Sequence, residues 1–555
     1  MLTLLGYPLL LEPWAPTRSQ AWGWSIGYGI FIALCIATGW TSLRRATNFV
    51  PVPIAATPAA QPLARKSRQK RKRGDRATAS AELASPVAPA DSPPKLTAQL
   101  FWALLAGTGT FLLLAVTNHI TQNIASVPLL WILPLAIYLL TFILSFEWTG
   151  WYRHSIFITL LGIALATMGF VLANTKFEYM LRLHVGVFCL GLFVGCMFCR
   201  GELARRKPAP KYLTRFYLMI ALGGAAGSAL VGIVAPLVLP AYFELAGGLV
   251  LVACLAMWQV RHDHIGLHAI GFASVVVTLV CGLISVQNFY DSTVSATRNF
   301  YGVLRVREGD IGSDRRRELM SGSIQHGIQY LEPRLARYPT SYYVPTSGIG
   351  RLLSTRPGGF DFAPRRVGVI GLGIGTLAAY GLRGDTYRFY EINPEVFTIA
   401  QRDFSYLKDS AAQIEFSPGD ARLALEPEPN QNFDVLVVDA FLGDAIPVHL
   451  ITKEAVGVYL RHLRPGGVLA VHVSNRYLDL VPVVAALADA NDLHASYIID
   501  KNQKGPSYAS QWVLLSARQE SLDIPKLTEA ATPIARRPDW PVWTDDFNNI
   551  IQVLM

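Results

Sequence analysis

Along the first half of the chain hydrophobic positions run in long blocks; along the second half they come in short bursts separated by charged residues and glycine turns. A helix rises about 1.5 Å per residue, so a block of roughly twenty apolar residues spans the ~30 Å core of a bilayer. One such block lies at 21–40, and seven more follow at about 96–116, 127–146, 156–172, 185–198, 217–239, 245–260 and 268–286. The first twelve residues are apolar but too short to cross and lack the cationic start of a signal peptide. They echo 234–244, which reads as an internal duplication whose first copy is cut short. The expected division is truncated N-terminal membrane segments at 1–43, a basic Pro- and Ala-rich disordered linker at 44–95, a multi-pass transmembrane domain at 96–287, a small β unit at 290–350 and an α/β domain at 351–555.

In the second half the period changes. Asn299–Arg307 alternates like a half-buried strand, and 317–326 supplies a second strand and a turn, enough for a small antiparallel unit that shapes a pocket rim or a subunit contact in a homo-oligomer. From Arg365 strands and helices alternate, the pattern of a Rossmann-like α/β sheet with its chemistry at the carboxyl ends of the strands. The first strand, Arg366–Ile370, breaks into Gly371, Gly373 and Gly375 and should lead into a helix whose free N–H groups face a ligand. Later strands end in Glu391, in Gly419-Asp420-Ala421 and in Asp439, and Leu463-Arg-Pro-Gly-Gly467 opens a fifth.

Composition narrows the classes. With 555 residues, 52% of them apolar, the chain is part membrane and part globular. Its +10 formal charge concentrates at 65–76 and 200–215, beside apolar blocks and without aromatic interleaving, so it indicates anionic lipid and no nucleic acid. All six cysteines lie in the apolar half, leaving the globular half no thiol nucleophile; Cys196 and Cys199 read as small apolar residues packed in a helix. No His, Asp or Cys cluster has metal-ligand spacing. Two features of the apolar half stand out: a polar cluster at 118–123 between two spans, followed by Pro128 and Pro134, and a small-residue face at Gly223, Gly224 and Gly227.

The glycine turn alone would suit NAD, FAD or an adenosyl-sulfur ligand, and Thr376 stands where a dinucleotide motif has its last glycine. Joined by Tyr390-Glu391-Ile392, Gly419-Asp420-Ala421, Phe433-Asp-Val-Leu-Val-Val-Asp439 and the Leu463–Gly467 turn, it resembles the class I methyltransferase fold and, within it, the spermidine synthase (polyamine aminopropyltransferase) family, in a membrane-fused bacterial form. Met320-Ser-Gly-Ser-Ile-Gln325 and Ser341-Tyr342-Tyr343 are similar to further motifs of that family. The resemblance implies aminopropyl transfer to an amine from decarboxylated S-adenosylmethionine as co-substrate, without a metal. Asp439 would then be general base and amine anchor, assisted by Tyr342. Glu391 would hold the ribose, Asp420 with Ala421 the adenine amino group, Gln325 the donor tail or ribose side, and Gly371, Gly373 and Gly375 the turn beneath it.

Three positions depart from the family. Ile374 stands where its glycine turn carries an acid, Leu442 replaces a second acid unless Asp444 takes that role, and Ser321 replaces an Asp. Two other readings therefore remain: an S-adenosylmethionine-dependent methyltransferase, and a transporter or sensor using the domain to bind a polyamine or nucleoside. His326, His449 and His472 lie near strand or turn ends, and 543–549 is either a polar lid or a helix cap. The expected location is the bacterial inner membrane with the α/β half in the cytoplasm, where adenosyl donors are made. The basic loops, taken as inside, put that half on the other side.

Overall fold

The computed structural model describes residues 2–46, 93–123, 128–147, 150–177, 180–311, 314–356, 363–441, 447–503, 505, 507–535 and 540–555. Most of the linker expected at 44–95, and Leu442 and Asp444, therefore fall outside the described residues. The chain divides into two units. Thr17–Pro93 is one, and its described part is a helix, α1 (Thr17–Ala46), exposed along nearly its whole length. Met1–Pro16 and Pro94–Met555 make the other.

The helical half of the larger unit comprises α2 (Leu96–Asn123), α3 (Pro128–Phe146), α4 (His154–Ala173), α5 (Leu181–Arg205), α6 (Leu213–Ala229, continued to Val238), α7 (Glu244–Gln259) and α8 (Ile265–Tyr290). Among the described residues of the whole chain, seven helices are long and apolar enough to cross a membrane, and Leu130–Phe146 is a shorter apolar helix. The small-residue face acts as expected: a Cβ on Gly223 would sit 2.0 Å from the Ala103 carbonyl oxygen, and one on Gly227 would sit 2.2 Å from that of Gly107. Only glycine lets α6 lie this close to α2. Cys196 and Cys199 are buried within α5. The polar cluster is not an inter-helix loop, because α2 continues through Asn123. Within it the Thr121 hydroxyl donates to the Thr117 carbonyl (2.9 Å), and His119 Nε2 lies 3.2 Å from His184 Nδ1.

Helix direction places the charges. Arg298 of β1 (Thr293–Asn299) forms a bidentate pair, 2.8 and 2.9 Å, with Glu244 at the first residue of α7. At the opposite end of α7, Gln259 receives Arg206 Nη2 at 2.7 Å. The basic segment 205–211 thus lies at the end of the bundle away from the β unit. There His154 bridges Glu202 (2.6 Å) and Asp263 (2.9 Å).

The β unit is a four-stranded antiparallel sheet: β1, β2 (Gly302–Ile311), β3 (Asp314–Ser321) and β4 (Ile324–Tyr330). Next come β5 (Arg366–Ile370), β6 (Thr386–Glu391), β7 (Gln413–Pro418), β8 (Phe433–Val438), β9 (Leu463–His472), β10 (His494–Asp500), β11 (Ser510–Ser516) and β12 (Ala531–Thr532). They form one sheet in the order β12-β10-β11-β9-β8-β5-β6-β7. β7 to β9 through β6, β5 and β8 are mutually parallel, and β11, β10 and β12 add antiparallel partners. The Rossmann-like sheet expected from the alternating pattern is thus present. The chain leaves β5 for β6 on one side and later returns to β8 on the other, so a crevice opens at the carboxyl end of β5.

One expectation at that crevice fails. No α-helix follows the glycine turn; Thr376–Tyr380 is a five-residue 3₁₀ segment. Gly375 is left-handed (φ 79°), and the chain turns back at Gly381 toward β6 within a few residues, leaving no length for a helix. A ligand there meets turn amides and the ends of neighbouring strands instead.

Candidate active site

The turn after β5 needs glycine for two separate reasons. Gly371, Gly373 and Gly375 have φ of 95°, 53° and 79°, where side chains are strained. A Cβ at Gly371 would also sit 2.3 Å from the Asp439 carbonyl oxygen. The turn therefore lies directly on the end of β8, and the Asp439 amide donates to the Ile370 carbonyl at 2.9 Å.

Above this floor is a cavity of about 150 Å³ lined by the turn, by Glu391, Asp420, Ala421 and Asp439, and by apolar side chains of the β unit such as Leu304 and Leu319. Glu391, at the end of β6, accepts the amides of Leu372 (3.0 Å) and Asn393 (2.9 Å). Burial pushes its carboxyl pKa up, and the backbone N–H groups around it only partly oppose that. Asp420 Oδ1 accepts the Leu423 amide (2.9 Å) as the cap of the helix Ala421–Leu425, and its Oδ2 lies 2.8 Å from His449 Nε2. An apolar slot, a carboxylate with spare lone pairs beside a bare glycine turn, and a second polar end at Asp420 suit an adenosyl group.

A second cavity, about 850 Å³, adjoins the first and shares His326, Tyr342 and Phe441 with it. Gln325 lines this larger space and not the pocket of Glu391. Among the described residues no three His, Cys, Asp or Glu side chains converge to hold a metal.

A cluster of hydrogen-bonded polar and aromatic side chains lies where the two cavities meet. Asp439 Oδ2 accepts the Tyr343 hydroxyl, and Oδ1 lies 2.7 Å from His472 Nδ1. Burial first, and then the Asp439 carboxylate, push the Tyr343 phenol well above its ordinary range. His472 stacks on Trp512 with ring centroids 4.5 Å apart, and Tyr342 covers it at 4.9 Å. Tyr342 thus packs on the partner of Asp439, and the hydroxyl that reaches Asp439 is its neighbour's, from Tyr343. Both tyrosines follow Ser341, a buried non-glycine residue at φ 58°, whose strained backbone aims the pair into the site. His326 has a buried Nε2 without a hydrogen-bond partner, and burial pushes its pKa down.

Position clarifies three features of the sequence. Ile374 is 1% exposed and lines neither cavity; it packs against Gly327, where a Cβ would meet its Cγ1 at 2.6 Å. The segment 543–549 lines neither cavity and so is no lid, but it does end in a helix cap: Asn549 Oδ1 accepts the amides of Ile551 (3.1 Å) and Gln552 (3.4 Å) at the start of the terminal 3₁₀ helix Ile550–Val553. Trp543 is buried, and Asp545 pairs with Arg422 at 2.6 and 2.7 Å, strapping the chain end to the helix behind Asp420. The tie between Asp439 and His472 went unread, although strand ends could have revealed it. β8 and β9 are parallel neighbours in which Val438 pairs with Val471, so the residues that follow, Asp439 and His472, emerge side by side.

No family model matches the chain. A polyamine aminopropyltransferase from Vibrio vulnificus (strain CMCP6) is 32% identical over 118 residues, which is 20% of this chain and 39% of that relative's length. Among solved structures, a probable spermidine synthase from Corynebacterium glutamicum ATCC 13032 aligns at 18% identity and TM-score 0.31, covering 40% of this chain and 79% of its own. The spermidine synthase from Thermotoga maritima aligns at 13% identity and TM-score 0.29, with coverages of 44% and 81%. By sequence, then, a fifth of this chain is similar to a polyamine aminopropyltransferase, and the match spans about two fifths of that relative's length.

Proposed function

We propose that the chain is a membrane-anchored aminopropyltransferase-like enzyme that moves an alkyl group from a decarboxylated S-adenosylmethionine-type donor to an amine. The observation that carries this reading is the pairing of two adjoining cavities, one suited to an adenosyl group and one larger and polar, with Asp439 and His472 at their junction. The amine nitrogen attacks the carbon next to the sulfonium. The new C–N bond forms as the C–S bond breaks, its electron pair stays on sulfur, and the product ammonium gives a proton to the Asp439–His472 pair. Glu391 holds the ribose hydroxyls and the glycine turn lies under the sulfur side.

A second reading, methyl transfer from S-adenosylmethionine, draws on Ile374. With an apolar side chain there, turned into the protein, the glycine turn supplies no anion for a donor's aminopropyl ammonium. Titrating the full chain in detergent with decarboxylated S-adenosylmethionine, S-adenosylmethionine and NAD separates the readings. The decarboxylated donor is expected to bind tightest, and Glu391→Ala to weaken it roughly 10- to 100-fold by removing charge-assisted hydrogen bonds. Since the ionised carboxylate is the better acceptor and burial raises its pKa, affinity should fall as pH drops through that raised value. Tighter binding of S-adenosylmethionine would favour the methyltransferase, and binding of none would sink both.

The reading also sets the side of the membrane. Donor supply requires the α/β half in the cytoplasm, whereas the basic segment 205–211 lies at the far end of the bundle and favours the reverse. A reporter fused after Met555 should therefore be active only as a cytoplasmic fusion; activity confined to the other side would rule out the enzyme in its simple form.

A further inference from the structure

We infer that His472 Nε2, and not the Asp439 carboxylate, is the atom that takes the proton from the amine, with Ser474 as the relay. The assignment rests on the transferase reading above and specifies its base.

The proton positions follow from the backbone outward. The Gln511 amide, which can only donate, lies 2.7 Å from Ser474 Oγ. Ser474 Oγ is therefore an acceptor in that contact, and its own hydrogen is free for the second one, 2.8 Å to His472 Nε2. The serine oxygen could also accept, so the tautomer is set at the other nitrogen: the Asp439 carboxylate only accepts, which puts the hydrogen of the neutral ring on Nδ1 and leaves Nε2 as the bare, accepting nitrogen. Nδ1 carries the ring hydrogen and gives it to Asp439 Oδ1 at 2.7 Å. Asp439 in turn has each oxygen engaged by an internal donor, Tyr343 on one and His472 on the other. It is placed to support a positive imidazolium, as the buried acid does in acid–base triads.

Access points the same way. His472 and Ser474 both line the larger cavity, and Asp439 lines only the smaller one. An amine held in the larger space and attacking toward the smaller one meets the Ser474 hydroxyl and Nε2 on its own side. The ring is held by Trp512 on one face, by Tyr342, and by the Phe441 edge at 5.2 Å, so it cannot swing to present another atom. In the step, the amine's C–N bond forms and the C–S bond breaks toward sulfur. The surplus ammonium proton passes to Ser474 Oγ while the serine's own hydrogen moves to Nε2. Serine is left unchanged, and an imidazolium is hydrogen-bonded to the Asp439 carboxylate. Release of that proton to water resets the site.

The test separates a base from a support. In His472→Gln the side-chain amide can still donate toward Asp439 but cannot take up a proton. The expected result is a kcat lower by about 100- to 10,000-fold with donor affinity within about threefold of wild type. His472→Ala should regain turnover on addition of imidazole and not on addition of pyrazole, a ring of the same size but far weaker basicity; equal rescue by both would mean that the ring only fills space. Ser474→Ala, which leaves the imidazole packing untouched, should lower kcat with little change in KM. Wild-type transfer together with a His472→Gln variant that turns over within about threefold overturns the assignment and leaves the transferase reading standing. Absence of transfer in the wild type overturns both.

Discussion

Asp439→Asn is expected to lower kcat by about 100- to 10,000-fold while the protein still folds and binds its adenosyl donor. The amide has nearly the carboxylate's shape, so packing around it survives. Its chemistry does not. Asn offers one acceptor oxygen and an NH₂ group where two donors, the Tyr343 hydroxyl and the His472 ring N–H, now converge on two oxygens. Either the tyrosine or the histidine loses its acceptor. If it is the histidine, the ring is driven to the other tautomer and its Nε2 no longer accepts. The imidazolium proposed to form during transfer would also lose its counter-charge in a site where both side chains are almost fully buried, at 4% and 5% exposure. Single-turnover assays with saturating donor read the loss; a kcat within about threefold of wild type would remove Asp439 from the chemistry.

The second large effect is expected at Gly371. Alanine there combines a left-handed φ of 95° with a Cβ 2.3 Å from the Asp439 carbonyl oxygen. The two penalties, backbone strain and overpacking, together reach on the order of 2–5 kcal/mol. Because the obstructing atom is backbone, relief must come from moving the turn or the end of β8. Either movement pulls the Leu372 amide from Glu391 or shifts Asp439, so donor affinity should fall more than a hundredfold. Gly419→Ala is the control: its φ of 111° carries the strain, but nothing lies within 4 Å of the added carbon. It should cost only about 1–2 kcal/mol. Thermal unfolding of both variants, with donor titration, checks the contrast. Equal effects at the two positions would mean that the close approach of β5 and β8 is not what demands glycine.

These residues also show what could be read before the structure. Glu391, Asp420 and Asp439 were legible because an α/β sheet delivers the carboxyl ends of its parallel strands to one crevice, and each acid closes a recognisable apolar run. Gly371 was legible because a strand followed by alternating glycines has few other uses. The α6 glycine face was legible for a related reason, since small residues at helical spacing permit close backbone approach. What escaped depends on which strands are neighbours. His472 could be joined to Asp439 only once β9 was known to lie beside β8 in that register. Gln325 sits in a motif that also contributes to the smaller cavity through Ser321, yet Gln325 itself lines the larger one. Ile374 lies within the glycine turn, but φ values along that turn rotate its side chain toward Gly327 and the core. The missing helix after Gly375 shows the limit of local propensity. Thr376-Leu-Ala-Ala-Tyr380 reads as helical, and the return to β6 within a few residues prevents it.

One hydrogen-bonded path among the described residues runs from the helical half to the crevice. Glu244, at the first residue of α7, is bound to Arg298 at the end of β1, and the next residue, Asn299, donates to Asn393 Oδ1 at 2.7 Å. The Asn393 amide in turn binds Glu391 at 2.9 Å. The carboxylate proposed to hold the donor is therefore tied, through two asparagines and a buried ion pair, to the start of an apolar helix. This continuity makes the full chain the appropriate material for assays of the site.

The most direct measurement is of product. The full chain in detergent, incubated with decarboxylated S-adenosylmethionine and an amine such as 1,4-diaminobutane, should yield the N-aminopropylated amine and 5′-methylthioadenosine in equal amounts, and Asp439→Asn should abolish both. Formation of S-adenosylhomocysteine and a methylated amine from S-adenosylmethionine, with no aminopropyl product from the decarboxylated donor, would contradict aminopropyl transfer.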